Sequence, residues 1–122
     1  YSYMLAVDPA VPFDRERGGN LSVRVANSWW RFDHQAGSID RAYAGSTHGL
    51  SEPQFVPRSR EAPEGEGWLV GVANDFSQMR SELLVVDAMR LQDGAVARVK
   101  LPFRLHTQVH GWWVPHWELP WK

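Results

Sequence analysis

Short apolar or alternating runs recur along the chain, with Gly, Pro, Asp and Asn between them. No stretch sustains apolar residues at the three-and-four spacing of a helix over several turns. The pattern predicts strands over 3–7, 28–33, 39–44, 53–57, 68–74, 82–87, 96–101 and 109–114. The nearest helical candidate, 76–89, contains the β-rich run Leu83-Leu84-Val85-Val86 and reads as a strand. That run and Trp68-Leu69-Val70-Gly71-Val72-Ala73 are apolar on both faces, as in strands covered on both sides. Between the strands, 62–67 is a polar Pro/Gly-rich connector, Gln92-Asp93-Gly94 signals a tight turn, and 14–20 reads as an exposed loop.

A weak internal repeat organises these runs. The strand 28–33 ends in Asp33, followed by Ala36-Gly37 and a second strand. The strand 82–87 ends in Asp87, followed by Asp93-Gly94 and another strand. An aspartate at a strand end can accept hydrogen bonds from the turn backbone, which explains its place without a catalytic role. The two aspartates lie about one propeller blade apart, by the roughly 40–50-residue period of such repeats. The strands 53–57, 68–74, 82–87 and 96–101 then make one four-stranded antiparallel blade. The first three strands form the end of the preceding blade, and 109–114 would begin the next or close a ring. The fold class is therefore all-β, with about two blades of a β-propeller.

Composition narrows the function classes. The chain has 122 residues, 43% of them hydrophobic and 22% charged, with a net charge of −1, as in one ordinary globular domain. Its arginines are scattered, which excludes a nucleic-acid stripe. No apolar run approaches the roughly 20 residues of a membrane-spanning helix, and no signal-peptide pattern is present. Cysteine is absent, in keeping with a reducing cytoplasm. The sequence begins at Tyr1, without an initiator methionine, inside an apolar strand. This reads as a segment of a longer polypeptide, or as a chain from which a leader or tag was removed.

Candidate chemistry rests on few residues. Of the five histidines, His34 and His48 fall in loop-like stretches and read as surface residues, and His116 as structural or exposed. His106 and His110 are four apart, which on a strand is about 13 Å and too far to share an ion. His110 differs in lying within the apolar, tryptophan-rich Gln108-Val109-His110-Gly111-Trp112-Trp113-Val114, where Gly111 would let another group approach closely. A buried imidazole needs partners for both nitrogens. Metal on one and carboxylate on the other would satisfy both. A hydrogen-bonded core histidine is the plainer alternative. Glu52, in Leu50-Ser51-Glu52-Pro53, is the candidate carboxylate, its own alternative being a solvated strand start. The seven tryptophans read as blade packing. Glu61, Glu64 and Glu66 read as a solvated acidic loop. No Ser-His-Asp signature or phosphate-cradling glycine loop is present.

Several stretches, in order, resemble the C-terminal end of the carotenoid cleavage oxygenases, more narrowly the bacterial lignostilbene dioxygenase-like members. They are Trp30-Arg31-Phe32-Asp33, Leu50-Ser51-Glu52-Pro53-Gln54-Phe55-Val56-Pro57-Arg58, Glu64-Gly65-Glu66-Gly67-Trp68-Leu69, the run from Arg80 to Ala88, Ala97-Arg98-Val99-Lys100-Leu101-Pro102, and His110-Gly111 with Trp113. The resemblance implies a seven-bladed β-propeller, of which residues 1–122 are the C-terminal portion, the upstream blades being absent. It implies iron(II) held by four histidines, three of them oriented by glutamates. His110 occupies the last iron-ligand position and Glu52 matches one of the orienting glutamates, without specifying which ligand Glu52 holds. The other three ligands lie upstream, so this segment alone should be inactive. The implied reaction is oxidative cleavage of a conjugated carbon–carbon double bond, carotenoid or stilbenoid, by O2 to two carbonyl products. The implied partners are O2, a hydrophobic alkene and the upstream part of the same propeller. Two alternatives stand beside it. One is a non-catalytic β-rich binding module, with exposed Trp112, Trp113 or Trp117 and His110 bonded only to protein. The other is a truncated relict without metal.

Overall fold

A computed structural model describes residues 1–22 and 25–120. Two antiparallel sheets carry the fold. The first orders β1 (Ser2–Ala6), β2 (Ser28–Asp33) and β3 (Ser38–Tyr43) in sequence. In the second, β6 (Gly67–Asp75), β7 (Arg80–Asp87) and β8 (Ala95–Lys100) run side by side, and the outer edge of β6 is shared by β4 (His48–Leu50) and β5 (Gln54–Pro57). The second sheet is thus a four-stranded blade whose first strand is interrupted, and the first sheet holds three strands of another. The expected blade composition is met; β4 is the strand the sequence pattern did not show. Three residues containing a glycine are too short to display a period of two.

The strands are held by alternation and by turn chemistry. In β6, Leu69 and Ala73 are fully buried, while Trp68, Val70 and Val72 are half-buried on the opposite face. Leu69, Ala73, Leu84 and Val86 pack with Trp29 and Ala42 of the first sheet and with Ala44 just beyond it, forming the core between the sheets. Burial of one such side chain contributes about 1.5–3 kcal/mol. Polar ties cross the same junction. Leu50 N donates to Ala26 O at 2.7 Å, Arg31 to Ala88 O at 3.2 Å, and Arg98 to Ala44 O at 2.9 Å. The strand-end aspartates act as expected. Asp33 accepts from the amides of Gln35 and Ala36, each at 2.9 Å, and Asp87 accepts from Met89 N at 2.9 Å. The Ala36 amide leads in holding the Asp33 carboxyl below its usual range.

Two local readings change. Within 14–20 a single helical turn, α1 (Arg15–Gly18), forms under the Asp14 cap, whose carboxylate accepts from Arg17 N at 3.1 Å. The strand expected over 109–114 is not formed. Beyond β8 the chain leaves the sheet and crosses its half-buried face irregularly as far as a 3₁₀ turn at His116–Glu118. An apolar pattern makes a strand only where an edge accepts its backbone groups, and among the described residues no strand pairs there. Among the described residues no helix is long and apolar enough to cross a membrane, which says nothing of strands.

Candidate metal centre

Glu52 sits in the interruption between β4 and β5. Leu50 pairs with Ala73 and Gln54 with Val70, so Ser51, Glu52 and Pro53 oppose only Val72 and Gly71. This is a β-bulge, a device that re-aims a side chain. Ser51 N donates to Val72 O at 2.8 Å, and Val72 N donates back to the Ser51 hydroxyl at 2.9 Å. The fully buried Trp29 donates its indole N–H to Ser51 O at 2.7 Å. Gly71 makes room for this junction: a Cβ there would lie 2.6 Å from Trp29 Cζ2 and 3.1 Å from Glu52 O.

His110 reaches the same point from the irregular segment. Its Nδ1 lies 2.8 Å from Glu52 Oε2. A carboxylate only accepts, so Nδ1 carries the proton and, in the neutral ring, Nε2 presents a lone pair. The pair borders a cavity of about 240 Å³ whose wall includes Val70, Val72, Leu83 and Trp113. The expectation of a buried imidazole in an apolar strand is corrected: the His110 ring is 79% exposed in these 122 residues and Glu52 38%. The segment carrying the ring is anchored by Leu105 N donating to Ser81 Oγ at 2.7 Å and by Leu101 N donating to Ser81 O at 2.9 Å. Among the described residues no strand pairs with it. Gly111 is not needed for close approach either, since a Cβ there would meet Gln54 only at an ordinary 3.5 Å.

The other histidines are not drawn in. His34 is exposed beside Ser2, its Nε2 2.8 Å from the hydroxyl. His106 and His116 are exposed. His48 is not the surface residue its setting predicted. Its side chain is 13% exposed, Nδ1 is buried without a hydrogen-bond partner, and Nε2 lies 3.9 Å from Asp75 Oδ2. Burial pushes this imidazole below its ordinary pKa, against the opposing pull of the Asp75 carboxylate. The tryptophans divide. Trp29 is core, Trp30 and Trp68 lie under Arg41 and Arg58, and Trp112, Trp113 and Trp117 are exposed. Trp121 lies outside the described residues.

One imidazole, with one nitrogen held by a carboxylate and the other without a partner among the described residues, has the form of a metal-ligating histidine with its orienting partner. Among the described residues no group of three or more His, Cys, Asp or Glu side chains converges as a metal site. The donor set here thus fits one ligand of a larger centre. Sequence reasoning missed the contacts of Trp29 and Ser51 beside Glu52; a glycine inside the apolar strand, at Gly71, was the available sign of a close approach.

Comparison with known proteins places the chain. Residues 1–115 match the family model described as retinal pigment epithelial membrane protein. Isoeugenol monooxygenase of Pseudomonas nitroreducens is 38% identical over 94% of this chain and 24% of its own length. Lignostilbene-alpha,beta-dioxygenase isozyme III of Sphingomonas paucimobilis is 32% identical over 98% of this chain and 24% of its own. The crystal structure of Pseudomonas brassicacearum lignostilbene dioxygenase superposes with a TM-score of 0.85 at 33% identity, covering 93% of this chain and 23% of that one. That of cobalt-substituted Synechocystis apocarotenoid oxygenase gives 0.69 at 28% identity over 74% of this chain and 19% of that one. The chain belongs to the carotenoid cleavage oxygenase family, with the all-β propeller fold of those structures. It spans about a quarter of the length of the curated relatives it matches (24% for each of the two named).

Proposed function

We propose that the chain is the C-terminal portion of the single propeller domain of a non-heme iron(II) dioxygenase, which cleaves a conjugated carbon–carbon double bond with O2 to two carbonyl products. The observation that carries this reading is the 2.8 Å bond from His110 Nδ1 to Glu52, the pair bordering a cavity walled by Val70, Val72, Leu83 and Trp113. His110 is one iron ligand, and Glu52 keeps the proton on Nδ1 and the ring in one orientation. The remaining ligands and blades come from polypeptide outside these 122 residues, in keeping with relatives about four times as long. A relative crystallised in cobalt-substituted form supports a metal centre. The chemistry that bound iron(II) supplies is the binding and activation of O2. The apolar wall holds the alkene and excludes water.

The substrate reading is a stilbenoid or related aryl alkene, with a carotenoid or apocarotenoid as the other class. It rests on relatives named isoeugenol monooxygenase, lignostilbene dioxygenase and resveratrol cleavage oxygenase. The absence of cysteine supports a cytoplasmic location.

Metal analysis of the full-length protein tests the assignment. His110→Ala should lose iron, and Glu52→Gln should weaken metal affinity by about 10–100-fold. Unchanged iron content in His110→Ala would remove the assignment. It would favour the second reading, a β-rich binding module, to which the 86% exposure of Trp112 lends weight.

A further inference from the structure

We infer that Trp29 and Ser51 are positioning residues for the metal site: they set the Glu52 carboxylate, and through it the tautomer and orientation of His110. The inference rests on the reading of His110 as a ligand and Glu52 as its orienting partner. Among the described residues the Glu52 carboxylate has one hydrogen-bond partner, His110, so its aim is set by the backbone on which it stands. That backbone is pinned at the residue immediately before it, on three sides. Ser51 N bonds to Val72 O, the Ser51 hydroxyl accepts from Val72 N, and Ser51 O accepts from the Trp29 indole. On the other flank Pro53 has a fixed φ and no N–H to pair with β6. Ser51 thus replaces with its side chain the backbone acceptor that the bulge removes from Val72.

The Trp29 contact is of a different kind, because Trp29 belongs to the first sheet. It is fully buried, its ring lies against Gly71, and its indole N–H is spent on the strand break of the second sheet. The junction between the sheets therefore controls the carboxylate directly. A core tryptophan needs only a partner for its N–H. Here the acceptor is the one carbonyl adjacent to Glu52.

The test uses the full-length protein with Ser51→Ala, Ser51→Thr, Trp29→Phe and His110→Ala. Two readouts apart from activity are taken: the visible spectrum and dissociation constant of added Co(II), and the ¹⁵N-histidine spectrum of the metal-free protein. Ser51→Ala and Trp29→Phe should each bind Co(II) on the order of 10-fold more weakly. They should also alter the ligand-field spectrum at saturating metal and lose the fixed Nδ1–H tautomer of His110. Ser51→Thr, which keeps the hydroxyl, should restore all three. Should Trp29→Phe not fold, the serine pair decides alone. Loss of metal in His110→Ala, with the cobalt spectrum and the His110 tautomer unchanged in Ser51→Ala, overturns this inference and leaves the ligand assignment standing. Retention of metal in His110→Ala overturns both.

Discussion

The two halves of the candidate site are held in very different ways. Glu52 stands on a bulge pinned by three hydrogen bonds, one of them from a buried tryptophan, beside a buried core formed by Leu69, Leu84 and Val86. His110 stands on a segment with no strand pairing, anchored to the sheet chiefly through Ser81. Its ring is 79% exposed, against 38% for Glu52. The contrast teaches that this fold holds the backbone of Glu52 firmly, whereas the His110 side chain is presented on a surface. Metal affinity in such sites depends on holding the ligand still. On the proposed reading, the carboxylate is the fixed reference and the imidazole is the part still to be steadied.

Several measurements would break or sharpen that contrast. The largest effect should come from the pinned side. Leu69→Ala, at a fully buried position in β6, the strand opposite the bulge, should cost about 2–5 kcal/mol of stability by urea denaturation. A loss below about 1 kcal/mol would mean that the body is not the rigid element. Ser81→Ala attacks the anchor of the loose side. It removes the acceptor for Leu105 N and the donor to buried Asn74 Oδ1, at about 1–3 kcal/mol. Hydrogen exchange should show protection lost at the Leu105 amide while that at Val72 persists. Equal loss at both would merge the two regions into one cooperative unit.

A pH effect is expected in the body but away from the site. Burial depresses the His48 pKa, so the unfolded chain binds the proton more readily than the folded one. Stability is then full above the unfolded value, near 6.5, and falls as pH drops toward the folded value. His48→Gln should flatten this acid-side slope of the denaturation midpoint; an unchanged slope would assign it to the carboxylates. The smallest effect is expected for Trp112→Ala in the 122-residue chain. At 86% exposure it should change stability by no more than about 0.5 kcal/mol, and a larger loss would show that the segment carrying His110 is packed more firmly than its exposure indicates.

Much of the architecture is legible along the chain. Short apolar runs in Gly67–Asp75 and Arg80–Asp87, bounded by turn residues, mark two strands of the blade, and Asp33 and Asp87 mark turns through hydrogen bonds within three residues of themselves. Both signals are local, so period and turn chemistry reveal them. His48 was misread because its surroundings look like a loop, while its burial comes from packing against residues such as Asp75, far along the chain.

What the sequence by itself determined is the class of structure: β-strands of period two, punctuated by Asp, Gly and Pro, with His110 and Glu52 as the residues whose chemistry needed explaining. Only the tertiary structure decided that these two meet, across 58 positions of chain, that a bulge aims the carboxylate, and that 109–114 does not become a strand. The physical reason is that side-chain periodicity records which face of an element is apolar. Whether an imidazole finds a carboxylate, or an apolar run finds an edge, depends on how separate sheets pack, and no local pattern carries that information.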